Sequence, residues 1–479
     1  MTVVVDFLNN VLWGYVLVYG LLAVGLFFTL RLGFIQIRHF PEYFRVITGS
    51  RETSENGITP LQALTISLAS RVGTGNLAGV AVAIYLGGPG AIFWMWMVAL
   101  VGMATAYAES TLAQLYKVRN GDGQYRGGPA FYMAAGVGSR PMGYAFSICL
   151  ILSFGLIFSA VQSNSISEAM TEAFGIPGLA TGLVIAALAG IVIFGGIRSI
   201  AKVADKIVPA MAGVYLLVAI YVIIINITEV PAMLGLIVSS AFGFEQAAGG
   251  FTGGFMAALM NGVKRGLFSN EAGMGSAPNI AAAAVPDPHH PSSQGLVQGL
   301  GVFIDTLLIC TATALMILLS GAVDYGPDGA QGMVLTQNAL AEHIGVAGPY
   351  FIAVAILFFA FTSILGNYSY SESAMEFLGL GGRAPLMVLK VLAMGMVIWG
   401  AVQPVSAVFN IADASMAVMA TINLVAILIL SGTVVKLTRD YFDQKAQGKV
   451  PLFRFKDHPD LNHGIDPTIW NRDVDAERH

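Results

Sequence analysis

Apolar runs long enough to cross a bilayer recur along nearly the whole chain. They cover 11–32, 62–86, 91–116, 144–168, 178–197, 207–227, 252–284, 296–320, 348–378, 384–401 and 405–433, where a spanning helix needs about 20 residues. No water in hydrocarbon can satisfy a backbone N–H or C=O, so each run must close its hydrogen bonds within itself as a helix. Hydrophobic residues make up 56% of the chain and charged ones 11%, against about 25% charged in a soluble domain. The expected class is an all-α polytopic membrane protein with about 11 transmembrane helices. Cys149 and Cys310 lie in separate runs without CxxC spacing, which supports neither a disulfide framework nor a zinc site. The lipid bilayer is an expected partner and nucleic acid is not.

The basic residues orient these runs. Of 24 Lys and Arg, three (Arg71, Lys264 and Arg265) fall within runs away from their ends, and the other 21 fall on one side when successive runs alternate in direction. The positive-inside rule then puts the N-terminus outside and the C-terminus in the cytoplasm. The stretch 230–247 contains Pro231 and is amphipathic, so it reads as an interfacial segment and not a further span. The tail beyond about 437 is polar and is expected to have little fold of its own.

Two runs are interrupted. In the second, Arg71-Val72-Gly73-Thr74-Gly75-Asn76 sets two glycines, a hydroxyl, an amide and a charge at membrane depth. In the seventh, Asn270-Glu271-Ala272-Gly273-Met274-Gly275 does the same. Irregular backbone survives there only inside protein or facing a watery cavity, and paired breaks in two halves mark the sites of secondary transporters. The breaks lie five spans apart, an odd number, so two five-helix units would cross in opposite senses. The expected layout is residues 1–61 as an extra N-terminal helix and cytoplasmic loop, 62–227 and 252–433 as inverted repeats, 228–251 as an extracellular interfacial segment, and 434–479 as a cytoplasmic tail.

Polar groups elsewhere in the spans add candidates. Ser159, Gln162, Ser163 and Ile166 share one helical face, which suits either substrate contact or interhelical bonding. Thr362 and Ser363 offer adjacent hydroxyl oxygens of the kind a hard cation takes, although helical hydroxyls often bond back to their own carbonyls. An Arg71–Glu109 ion pair is expected, and Glu271 is expected to satisfy freed N–H groups. Lys264 and Arg265 would line a watery path, and Asp305 and Asp413 have no evident partner. Phe268 and Met274 flank the second set of glycines, which suits a pocket for a small substrate. The chain has no HExxH and no GxSxG, so an intramembrane enzyme is disfavoured; paired breaks also speak against a passive channel.

The stretch GGPGAIFWMWMVALVG (Gly87 to Gly102) resembles the signature of the sodium:alanine symporter family. SLASRVGTGNLAGVA, the Gly127-Gly128-Pro129 loop and GLFSNEAGMGSAP are similar to that family's other hallmark stretches. The resemblance implies a bacterial or archaeal inner-membrane importer of alanine, glycine or a similar small neutral amino acid, with sodium as coupling ion and no organic cofactor. It also implies the leucine-transporter type of fold. Under it, Val72, Gly73, Thr74, Gly75 and Asn76 match the unwound first core helix that holds the substrate, and Gly273, Met274 and Gly275 match the unwound sixth. Thr362 and Ser363 match the hydroxyls of a sodium site completed by the carbonyls of Ala69 and Val72. Proton coupling through Asp305 or Glu109 is the alternative.

Overall fold

The computed structural model describes residues 2–48, 57–121, 123–242, 251–326, 328–461 and 463–470. Among these, eight helices are long and apolar enough to cross a membrane: α1 (Val5–Arg31), α4 (Gly90–Leu115), α5 (Arg140–Phe174), α7 (Gly196–Ile225), α11 (Pro291–Ser320), α13 (Ala347–Phe377), α14 (Arg383–Gly400) and α15 (Val405–Ile429). The remaining three sequence-derived spans are the two broken ones and the short α6 (Gly178–Ile193). The first broken span is α2 (Pro60–Arg71) followed by α3 (Gly75–Gly87), and the second is α9 (Phe251–Asn270) followed by α10 (Pro278–Ala283).

Burial sorts the helices into a core and a lipid-facing layer. In the most apolar stretches of α4 and α11, 67% of residues are buried, against 22% in α7 and α14. Leu217, Ile220, Ile224, Val388 and Val391 are exposed on those outer helices. In a membrane protein such side chains face lipid tails, and close packing together with interhelical hydrogen bonds holds the inner helices. Gly262 and Gly266 on α9 show the closeness: a Cβ at either would collide with the backbone or side chains of α4.

Local chemistry explains both breaks. α2 starts cleanly, with Thr59 and Gln62 forming a reciprocal capping box and Pro60 in the first turn. It stops at Val72, whose ψ of 94° turns the chain out of the helix, and α3 resumes with a wide π-helical turn over Gly75–Gly79. In the second break Glu271, Gly273 and Gly275 have φ of 57°, 87° and 81°. Three left-handed residues in five cannot continue a right-handed helix, and glycine takes that conformation at the least cost. Pro278 then opens α10.

The tail is not the loosely organised extension expected from its polarity. α16 (Ser431–Ala446) packs against the bundle, and Tyr441, Phe453 and Trp470 are fully buried. Trp470 Nε1 donates to the Leu115 carbonyl at 3.2 Å, and Phe453 N–H donates to His289 O at 2.9 Å. A few aromatic residues spaced through polar sequence suffice to dock the segment, because each buries a large apolar area. A second unforeseen element is α12 (Gly332–Ile344), which joins α3 through Thr336 Oγ1 donating to Leu77 O at 3.2 Å. α8 (Val230–Ala241) is a 12-residue helix packed on α4; residues 243–250 of the expected interfacial segment lie outside the described residues, as do 49–56 and 471–479.

Candidate substrate and cation site

Ending α2 at Val72 frees backbone groups at the centre of the bundle, and side chains from three elements meet them. Gly73 N–H donates to Asn76 Oδ1 at 2.9 Å, and Thr74 N–H donates to Gln162 Oε1 of α5, also at 2.9 Å. A Cβ on Gly73 would collide with Gln162 Oε1 and Ser363 Oγ, so only glycine lets these side chains reach the backbone. Ser363 Oγ lies 3.4 Å from Val72 O and also donates to Phe359 O at 3.0 Å. Thr362 Oγ1 donates to Phe359 O at 2.9 Å. The serine of the expected pair therefore reaches the break, while the threonine bonds back along its own helix. Asn76 Nδ2 donates to Asp305 Oδ1 at 2.7 Å, and Ser269 and Thr306 hydroxyls donate to Asp305 Oδ2 at 2.6 and 2.7 Å. Asp305 thus has partners after all: it pins α3 to α9 and α11.

The second break is held by Glu109 of α4. Its carboxylate accepts from Gly273 N–H at 3.1 Å, Gly275 N–H at 3.2 Å and Asn423 Nδ2 at 2.8 Å. This corrects two expectations. Glu109, and not Glu271, satisfies the freed N–H groups, and it does not ion-pair with Arg71, whose Nη1 donates to Gln298 O at 3.1 Å. Glu271 instead accepts from Ser70 Oγ at 2.9 Å and from Ser276 Oγ at 2.5 Å, linking the two breaks. The space beside Gly273 and Gly275 is filled by Leu424, Thr105, Phe146, Asn423 and Pro129. The N–H groups of these glycines are thus taken up by Glu109, and neither Gln162 nor Ser363 is among the nearest atoms to their Cβ positions.

A cavity of about 610 Å³ lies between α3, α5, α9 and α15, lined by Val82, Glu168, Lys264, Arg265, Phe409 and Asp413 among others. Asp413 Oδ2 sits 2.5 Å from Arg265 Nη2 and 2.8 Å from Lys264 Nζ, so this carboxylate also has its partners. Phe268 stacks between Phe158 and Phe409, with ring centroids 4.9 and 5.6 Å away, and the Arg265 guanidinium lies over Phe268 and Phe409. A Cβ on Gly75 would stand 3.1 Å from the Phe268 ring and 3.0 Å from Ser269 Cα. The aromatic layer therefore separates the charged cavity from the broken backbone. Asp413→Ala leaves two cations facing each other, one of them nearly buried, and is expected to cost about 3–5 kcal/mol. Asp413→Asn should cost less. Thermal unfolding in detergent measures both, and an alanine variant melting with the wild type would remove the ion pair from any structural role.

The profile of the sodium:alanine symporter family matches residues 1–455. The chain belongs to that family. Its members are secondary transporters and not enzymes. The chain is 48% identical to a probable sodium/glutamine symporter of Bacillus subtilis, over 97% of this chain and 95% of that protein. It is also 48% identical to the amino-acid carrier protein AlsT of the same organism, over 95% of each. A sodium/alanine symporter of Methanococcus maripaludis is 40% identical over 91% of this chain and 96% of that protein. Among solved structures, a manganese transporter of Eremococcus coleocola superposes with a TM-score of 0.50 at 16% identity, covering 78% of this chain and 77% of that one. That likeness shows a membrane-transporter fold.

Within this family member the sequence-derived residues separate into groups. Gly73, Thr74, Gln162, Val72 and Ser363 converge, with Asn76 beside them. Phe268 lies against Gly75 in the neighbouring aromatic layer. Gly273, Met274 and Gly275 belong to the Glu109-held turn. Phe158 and Phe409 were missed. The helical face through Gln162 extends back one turn to Phe158, and Phe409 precedes Asp413 by one turn, so both carried a periodic signal.

Proposed function

We propose that this family member is a secondary active symporter that imports a small neutral amino acid, such as alanine or glycine, with sodium. The observation that carries the reading is the first break, where a freed N–H (Thr74) and a freed carbonyl (Val72) stand side by side, each met by one polar side chain. Gln162 Oε1 occupies the place a substrate carboxylate oxygen would take on Thr74 N–H. The Ser363 hydroxyl and the carbonyls of Val72 and Ala69 supply the oxygen ligands a hard cation prefers. Asp305 already accepts three hydrogen bonds as a carboxylate, which favours sodium over a proton carried there. A relative named as a putative sodium/proton-dependent alanine carrier, 41% identical, keeps the proton alternative in the test.

Alternating access would then work by moving two five-span units, α2 to α7 and α9 to α15, against each other around the paired breaks. The N-terminus would be outside and the tail cytoplasmic, in the inner membrane of a bacterium or archaeon. Counterflow of labelled alanine into proteoliposomes, with sodium or choline outside at fixed pH, tests the coupling. Uptake that ignores sodium but follows a pH gradient would replace this reading with proton symport.

Substrate size gives a further expected result. Phe268 closes over Gly75, so Phe268→Ala should open room and raise the apparent affinity for glutamine relative to alanine. Extra methylene-sized groups in an apolar pocket shift discrimination by about 10–200-fold. Competition against labelled alanine reads it. A wild-type protein that takes glutamine as readily as alanine would overturn the small-substrate reading.

A further inference from the structure

A second cavity, of about 670 Å³, opens at the end of the bundle where α1 finishes beside the later turns of α16. That volume falls within the about 300–1,000 Å³ of ligand sites. Five cationic side chains line it against two carboxylates, Glu42 and Asp443. Glu42 is already committed: it accepts from Tyr441 OH at 3.0 Å and pairs with Arg45 at 3.0 Å and with Lys445. Arg31, Arg38 and Arg439 have no ion-pair partner among the described residues.

Three elements bring these arginines together. Arg31 is the last residue of α1, and Gly33 and Phe34, with φ of 63° and 56°, reverse the chain directly after it. The one-turn helix Ile35–Arg38 then returns Arg38 to the same cavity, and α16 brings Arg439 from the other end of the sequence. With Glu42 committed, Asp443 is the one carboxylate lining the cavity left to offset these three guanidinium groups, and the excess positive charge favours an anion there. Apolar side chains adjoining them in sequence face outward: Leu30, Phe34 and Ile37 are 58%, 47% and 67% exposed. Arginines alternating with exposed apolar side chains, next to a spanning helix, mark the boundary between hydrocarbon and water.

We propose that this cavity binds the phosphate of an anionic phospholipid, with the acyl chains lying along Leu30, Phe34 and Ile37. A soluble phosphate would use the guanidinium groups alone, whereas the apolar rim fits the rest of a lipid. Arginine suits the role because its planar fork holds two phosphate oxygens at once. The bound lipid would tie the end of α1 to α16, and so to the docked tail.

The test uses the full chain in neutral detergent, stripped of native lipid, then titrated with dioleoylphosphatidylglycerol or dioleoylphosphatidylcholine. Native mass spectrometry reads bound lipid and thermal unfolding reads its effect. Phosphatidylglycerol is expected to be retained and to raise the melting temperature, and phosphatidylcholine is not. The pair Arg31→Gln with Arg439→Gln should weaken phosphatidylglycerol binding about 25-fold, or about fivefold for each basic side chain, which corresponds to the about 1 kcal/mol such a residue contributes at a membrane surface. Arg31→Lys with Arg439→Lys should recover most of it. Equal binding of the two lipids, or wild-type phosphatidylglycerol binding by the glutamine pair, would overturn the site. A thermal shift with millimolar inorganic phosphate as large as that with the lipid would overturn the lipid as its occupant.

Discussion

Glu109→Ala is expected to destabilise the protein and to abolish substrate-induced stabilisation together. The buried carboxylate is the acceptor for both freed N–H groups of the second break, Gly273 and Gly275, and also orders the Asn423 amide. Alanine leaves two buried donors without an acceptor, at about 1–3 kcal/mol each. Asn423 keeps Gly273 O and the Tyr132 hydroxyl as partners, so the loss falls on the break. Glu109→Gln separates shape from charge. Its carbonyl can accept from one glycine, but its NH₂ must then face the other N–H, and two donors repel. The expected order of melting temperature, and of the further rise on adding alanine, is wild type, then Gln, then Ala. An alanine variant that unfolds and transports like the wild type would mean that other groups or water hold the turn.

The second large effect is on sodium. Thr362→Val with Ser363→Ala removes both hydroxyls at nearly constant volume, and the sodium concentration for half-maximal alanine binding should rise about tenfold or more, at least about 1.4 kcal/mol. The geometry divides this unequally. Ser363 Oγ reaches Val72 O, whereas Thr362 Oγ1 turns back to Phe359 O, so Ser363→Ala alone should account for most of the shift. Alanine affinity at saturating sodium should change little. Reciprocity requires that alanine raise sodium affinity by the same factor that sodium raises alanine affinity. Isothermal titration of each ligand at several fixed levels of the other measures both sides. Wild-type sodium dependence in the double variant would remove these hydroxyls from the ion's ligands.

Much of the frame was legible because hydrocarbon leaves so few choices. Apolar runs had to be helices, and eight of the eleven are single helices of spanning length. The breaks were legible because glycine beside Thr, Asn or Glu at membrane depth is tolerated only where something answers the freed backbone. Both breaks lie where they were expected, at Val72–Thr74 and Glu271–Ala277. The tail was misjudged because average polarity hides a few widely spaced aromatics. Tyr441, Phe453 and Trp470 bury completely only against surfaces formed by distant segments near Glu42, His289 and Leu115.

Partner choice among buried polar groups was beyond one-dimensional reading. Arg71 and Glu109 looked like a pair because opposite charges at similar depth attract, yet Glu109 serves two N–H groups and Asn423. Asp413 looked orphaned, yet Lys264 and Arg265 converge on it from 148 or more residues away in sequence. By itself the sequence determined the helical membrane class, where its long apolar runs lie, and where the backbone had to break, since these follow from local composition and the bilayer's refusal of unpaired polar groups. Only the tertiary structure decided which side chain answers each freed group, because a hydrogen bond is selected within a few tenths of an ångström by helices whose packing no local pattern encodes.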